Sequence, residues 1–148
     1  VLLPGGFKPP HEGHFQLAKG YADMPQVKEV VILIGPKDRD GITVEDSQAI
    51  WAMLIGGIKN IRVEKSKYPS PLLTAYKFIE NEAQSGQTYA LGSSSKGDDY
   101  NRIRGFVDQH QEAFKRVHFV RFERLDEGEH HARYHRGLRE HGGVVCQA

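Results

Sequence analysis

An open, doubly wound α/β domain built on a five-stranded parallel sheet is the fold this sequence predicts. Short runs rich in β-branched residues alternate with segments of helical period, which is the pattern of repeated βα units. One run, Glu29-Val30-Val31-Ile32-Leu33-Ile34-Gly35, is almost continuously apolar and is therefore expected to be buried on both faces at the sheet centre. The first run leads straight into two adjacent glycines and a helix start, the arrangement in which a parallel sheet presents a ligand site at its carboxyl edge.

The elements follow in order. Val1-Leu2-Leu3 is the first strand, and a helix runs from about His11 to Tyr21. After the central strand, the polar loop Pro36-Lys37-Asp38-Arg39-Asp40-Gly41 leads to a helix that begins near Thr43, where Asp46 three residues on makes a capping-box start. Ile50, Trp51, Leu54 and Ile58 recur at helical spacing, so Trp51 belongs to a core face, and Gly56-Gly57 ends the helix. Asn60-Ile61-Arg62-Val63-Glu64 alternates like a half-buried strand. Ser70-Pro71 supplies an N-cap and a first-turn proline for a helix whose apolar face is Leu72, Tyr76, Ile79 and Ala83. Gln87 to Gly92 forms a fourth strand, and Val117 to Phe122 a fifth. Between them Ile103, Phe106, Val107, His110 and Phe114 trace a helical stripe, and a charged, histidine-rich tail follows.

At 148 residues the chain fits one domain. It opens inside a strand and closes on Val144 to Ala148, which reads like the approach to another element, so a domain belonging to something longer is expected. A net charge of +1 argues against a broadly basic surface, and no nucleic-acid partner is expected. Its single cysteine, Cys146, can form no internal disulfide, which fits a reducing, cytoplasmic setting. Apolar runs fall short of the ~20 residues of a membrane helix, so no membrane partner is expected either. An oligomer is compatible with all of this.

The chemistry concentrates in Pro4-Gly5-Gly6-Phe7-Lys8-Pro9-Pro10-His11-Glu12-Gly13-His14. Gly5 and Gly6 let the backbone turn tightly and bring its N–H groups close to an anion. The helix start adds unpaired donors and the positive end of the macrodipole. His11 and His14, at i, i+3, share a helical face and reach the same phosphate, while Gly13 between them leaves room for a ligand across the first turn. Lys8 would add positive charge where polyphosphate sits. A zinc site is the rival reading of the histidines, but the metalloprotease pattern needs i, i+4 spacing and a third ligand.

The contiguous pattern G-x-F-x-P-x-H-x-G-H over Gly5 to His14 resembles the signature of the nucleotidyltransferase superfamily, which includes cytidylyltransferases and nicotinamide-mononucleotide adenylyltransferases. The resemblance implies a Rossmann-like sheet of strand order 3-2-1-4-5. It implies that His11 and His14, with Lys8, are catalytic, and that Gly5, Gly6, Phe7 and Gly13 bind the nucleotide. In the family the loop after the fourth strand borders the nucleotide, which extends that role to Gly92, Lys96 and Asp98. The region after the second strand shapes the acceptor pocket, which points to Arg39. The implied reaction moves a nucleoside monophosphate from an NTP to a phosphorylated acceptor such as nicotinamide mononucleotide, with Mg²⁺ on the triphosphate and release of pyrophosphate. Phe7 and Pro9 resemble the adenylyltransferase form, which favours ATP. The alternatives are a cytidylyltransferase acting on a small phospho-alcohol and a non-catalytic nucleotide-binding module.

One departure bears on that choice. The superfamily's late Ile-Ser-x-Thr-x-x-Arg-like segment is absent from residues 123–148, so either it lies beyond Ala148, or the arginines of the tail substitute for it, or full activity is lost. Arg102 and Arg104 stand where a guanidinium would meet phosphate or simply line a solvated helix. His130, His131 and His135 include an i, i+4 pair that reads as a solvated tail or a zinc site. The histidine motif also resembles that of class I aminoacyl-tRNA synthetases, with Ser94-Ser95-Lys96 faintly like their second lysine motif, although the chain is short for tRNA-binding parts.

Overall fold

A computed structural model describes residues 1–82, 88–92, 101, 105, 108–109, 118–120 and 145–147. Its organising unit is a three-stranded parallel sheet of order β1 (Leu2–Gly5), β2 (Val30–Ile34) and β3 (Ile61–Lys65). The strands are in register at their carboxyl ends, with Gly5 opposite Ile34 and Ile34 opposite Lys65. All five residues of β2 are buried, as their apolar run requires of a strand covered on both faces.

The period of two divides these side chains between two cores. Leu3, Val30, Ile32 and Ile34 face α1 (Glu12–Ala22) and α2 (Val44–Ile55), where Leu17, Tyr21, Trp51 and Ile55 meet them. Leu2, Val31 and Leu33 face α3 (Pro71–Glu82), against Ala75 and Ile79. Parallel strands oblige each helix to return the chain to the opposite edge, so α1, α2 and α3 all start beside the carboxyl ends of the strands.

Each helix start has a local cause. The Thr43 hydroxyl accepts from the Asp46 N–H at 3.1 Å, and the Asp46 carboxylate accepts from the Thr43 N–H at 3.0 Å. Ser70 caps α3 through Oγ, which accepts from the Leu73 N–H at 3.4 Å, with Pro71 in the first helical position. His11 caps α1. Gly56, at φ 57°, ends α2 in a backbone region that glycine enters without a Cβ penalty.

Beyond α3 the architecture differs from the expected run of parallel strands. β4 (Thr88–Ala90) and β5 (His118–Val120) are not neighbours, because β6 (Val145–Gln147) lies between them and pairs antiparallel with both. A strand inserted there occupies backbone groups that two short edges would otherwise leave open. Leu91, just past β4, forms a parallel bridge with Leu2, and the Gly92 N–H donates to the Leu2 carbonyl at 2.7 Å. The chain leaving β4 therefore runs along the free side of β1. Asn101, Gly105, Asp108 and Gln109 are helical, within the predicted stripe.

Thr43→Ala removes one side of the α2 capping box and is expected to lower stability by about 1 kcal/mol, read as a lower urea midpoint with an unchanged slope.

Candidate functional site

The carboxyl edge of the sheet carries the Gly5–His14 segment, and packing dictates its shape. The Phe7 ring lies over Gly5, where a Cβ would come within 2.6 Å of Phe7 Cζ. The ring also meets Trp51 edge-on at 5.2 Å and His14 edge-on at 5.1 Å. Phe7 takes a left-handed backbone, φ 51°, an unusual state for a bulky residue that persists only where surroundings hold it. Gly6 differs from its neighbour. It is exposed, and a Cβ added there would find none of the described residues within 4 Å.

Three successive carbonyls of the turn are held from inside the protein. Gly5 O accepts from the Gly35 N–H at 2.8 Å, Gly6 O from Lys8 Nζ at 2.8 Å, and Phe7 O from Ser47 Oγ at 2.7 Å. Because a trans peptide directs its N–H opposite its C=O, the N–H groups of Gly6, Phe7 and Lys8 each point away from those donors. Among the described residues none accepts from these three N–H groups. Lys8 itself is buried, and its ammonium also donates to the Gly35 carbonyl at 2.7 Å. The expected phosphate arm is thus a strap between the turn and the end of β2, with a third N–H remaining. Burial pushes the Lys8 ammonium below the usual lysine range; the Asp38 carboxylate opposes that shift and the Arg39 guanidinium adds to it.

The histidines cap α1 reciprocally. His11 Nδ1 accepts from the N–H groups of Gly13 at 3.1 Å and His14 at 3.4 Å, and His14 Nδ1 accepts from the His11 N–H at 3.1 Å. The rings stack with centroids 3.7 Å apart and planes 20° apart. A neutral imidazole whose Nδ1 accepts keeps its proton on Nε2. Both rings are therefore fixed as Nε2–H donors at the positive end of α1. Gly13, half-buried, serves this cap through its own N–H.

The remaining expected residues lie at different distances from this cluster. Arg39 is exposed on the loop after β2, where Arg39 and Ile42 exchange backbone hydrogen bonds around Asp40 (φ 51°) and Gly41 (φ 80°). Two successive positive φ values make this a tight hairpin turn. Its charge is felt at Lys8, so loop and turn share one neighbourhood. Gly92 is buried against Tyr21, Val1 and Leu3, with a built Cβ 2.9 Å from the Tyr21 ring. Packing accounts for this glycine, which lies level with Leu3, about 7 Å before Gly5 along β1 at ~3.3 Å per residue. Lys96, Asp98, Arg102, Arg104, His130, His131 and His135 lie outside the described residues.

Ser47 is the participant that sequence reasoning missed. It stands in the inward stripe Val44-Ser47-Trp51-Ile55 of α2, and a hydroxyl among apolar neighbours at that spacing was the available signal. No protein-family model matches the chain, and no curated protein matches it.

Three glycine substitutions separate packing from ligand access. Gly5→Ala and Gly92→Ala are each expected to lose about 1–3 kcal/mol, because the new methyl overlaps a ring. Gly6→Ala is expected to stay within about 0.5 kcal/mol of the parent in a thermal melt.

Proposed function

We propose that this chain is a nucleotidyltransferase of the superfamily its motif resembles, transferring a nucleoside monophosphate from an NTP, ATP in preference, to a phosphorylated small-molecule acceptor. The observation that carries the reading is the stacked His11–His14 pair, whose Nδ1 atoms are both engaged by backbone N–H groups of the α1 cap and first turn so that both rings are Nε2–H donors. The exposed Gly6, where no described residue crowds a Cβ, supports a ligand lying across the turn. On this reading β3-β2-β1 is the first part of the Rossmann-like order 3-2-1-4-5, the Leu2–Leu91 bridge supports a fourth strand beside β1, and β6 departs from that order by lying between β4 and β5.

An acceptor phosphate oxygen attacks the α-phosphorus in line; the new P–O bond forms as the bond to the bridging oxygen breaks, and pyrophosphate carries away the electron pair. The protein needs no nucleophile of its own. Its task is positioning and stabilisation of charge. His11 and His14 donate from Nε2 to phosphate oxygens, Gly6, Phe7 and Lys8 offer main-chain N–H groups, and the buried Lys8 charge lies beneath the anion. Arg39 binds the acceptor's phosphate from the loop after β2. Among the described residues no three His, Cys, Asp or Glu side chains gather into a metal site. Mg²⁺ would enter with the nucleotide and offset the charge of the triphosphate, an ion that needs few protein ligands.

A binding-only module is the second reading, favoured if the Ser-x-Thr-x-x-Arg segment that residues 123–148 do not contain is lost rather than located beyond Ala148. A pyrophosphate-release screen of four NTPs against nicotinamide mononucleotide and several phospho-alcohols decides between them. Release with ATP and one acceptor is expected, and CTP with a phospho-alcohol would mark the cytidylyltransferase alternative. Nucleotide binding by calorimetry without release would favour the module. His14→Ala is expected to lower kcat by about 10²–10³-fold, the scale of losing one preorganised donor, and equal turnover would overturn the assignment.

A further inference from the structure

Ser47 sits fully buried on α2, forty positions from its partner, with its hydroxyl donating to the Phe7 carbonyl at 2.7 Å. Alanine would fill the same inward position of the stripe, and a buried hydroxyl lowers stability unless it is paired. What the hydroxyl adds is direction. It draws the Phe7–Lys8 peptide plane toward α2, which aims the Lys8 N–H away from α2 and fixes the rotation on the carbonyl side of the left-handed Phe7. Through that backbone it also sets the Phe7 ring, whose edge-on contact supports His14.

We infer that Ser47 is a positioning residue of the anion site: it touches no ligand, and it acts through Phe7 on the orientation of the Lys8 N–H and the His14 imidazole. Its ligand-binding consequence rests on the nucleotidyltransferase reading, whereas its structural consequence stands without it. Contacts of Phe7 with Gly5 and Trp51 hold the ring from the side, but no other described residue donates to the Phe7 carbonyl. Removing the hydroxyl therefore frees that peptide to rotate while leaving the apolar core of α2 in place.

The test compares the full chain with Ser47→Ala and Ser47→Cys, the latter keeping similar volume and a weak donor. Near-ultraviolet circular dichroism of Trp51, the single tryptophan, verifies the fold. The three-bond HN–Hα coupling of Lys8, which reports the φ that flanks the Phe7–Lys8 peptide, is expected to move away from its parental value in Ser47→Ala and less far in Ser47→Cys. Binding of Mg·ATP by calorimetry is expected to weaken about tenfold in Ser47→Ala and by less in Ser47→Cys. A folded Ser47→Ala with parental coupling would overturn the inference, and so would parental affinity. Should Ser47→Ala fail to fold, Ser47→Cys carries the same two readouts. If the parent chain binds no Mg·ATP, the nucleotidyltransferase reading fails, while the coupling alone still decides the role of Ser47.

Discussion

Three carbonyl groups in a row, those of Gly5, Gly6 and Phe7, are drawn inward by donors from Gly35 just past β2, from Lys8 and from α2. The rest of the site depends on that. Backbone carbonyls that faced outward would repel an anion; with each one engaged, the peptide planes turn their N–H groups the other way. The same ties explain how Phe7, a bulky residue, persists at φ 51°. A left-handed backbone costs roughly 1–2 kcal/mol for a residue with a Cβ, an amount that the Ser47 hydrogen bond and ring contacts with Trp51 and His14 can offset.

The sheet makes this clamp possible. β1 and β2 end level with one another, so Gly35 reaches the turn with both its N–H and its carbonyl: the first donates to Gly5 O, and the second accepts from Lys8 Nζ. β2 in turn is held by apolar packing on both faces, which makes its end a rigid reference point. The helix α2 serves twice, covering one face of the sheet with Trp51 and Ile55 and reaching the turn with Ser47. Positive potential follows from the same construction, since the Lys8 ammonium is anchored beneath the turn and the α1 N-terminus opens beside it.

Much of this was legible from short-range pattern. The buried run Val30 to Ile34, the Thr43–Asp46 box, the Ser70-Pro71 start and the i, i+3 histidines each depend on residues that lie within one or two turns of each other. Less legible was what lies across the sheet. Lys8 reads as charge offered to a polyphosphate, yet its ammonium is tied to the carbonyl of Gly35, 27 positions away. Gly92 reads as part of a ligand loop, yet the Tyr21 ring explains it. The insertion of β6 between β4 and β5 has no signature in any of the three strands alone.

The sequence by itself determined the helices, the parallel core strands and the pairing of His11 with His14, because periodicity and capping are set by near neighbours whose spacing is covalent. Only tertiary structure decided where Lys8 points, why Ser47 is buried, and which strand lies beside β5. Each of those outcomes is chosen by a main-chain donor or acceptor that another element brings within about 3 Å, and a backbone carbonyl carries no mark of its future partner in the order of the residues.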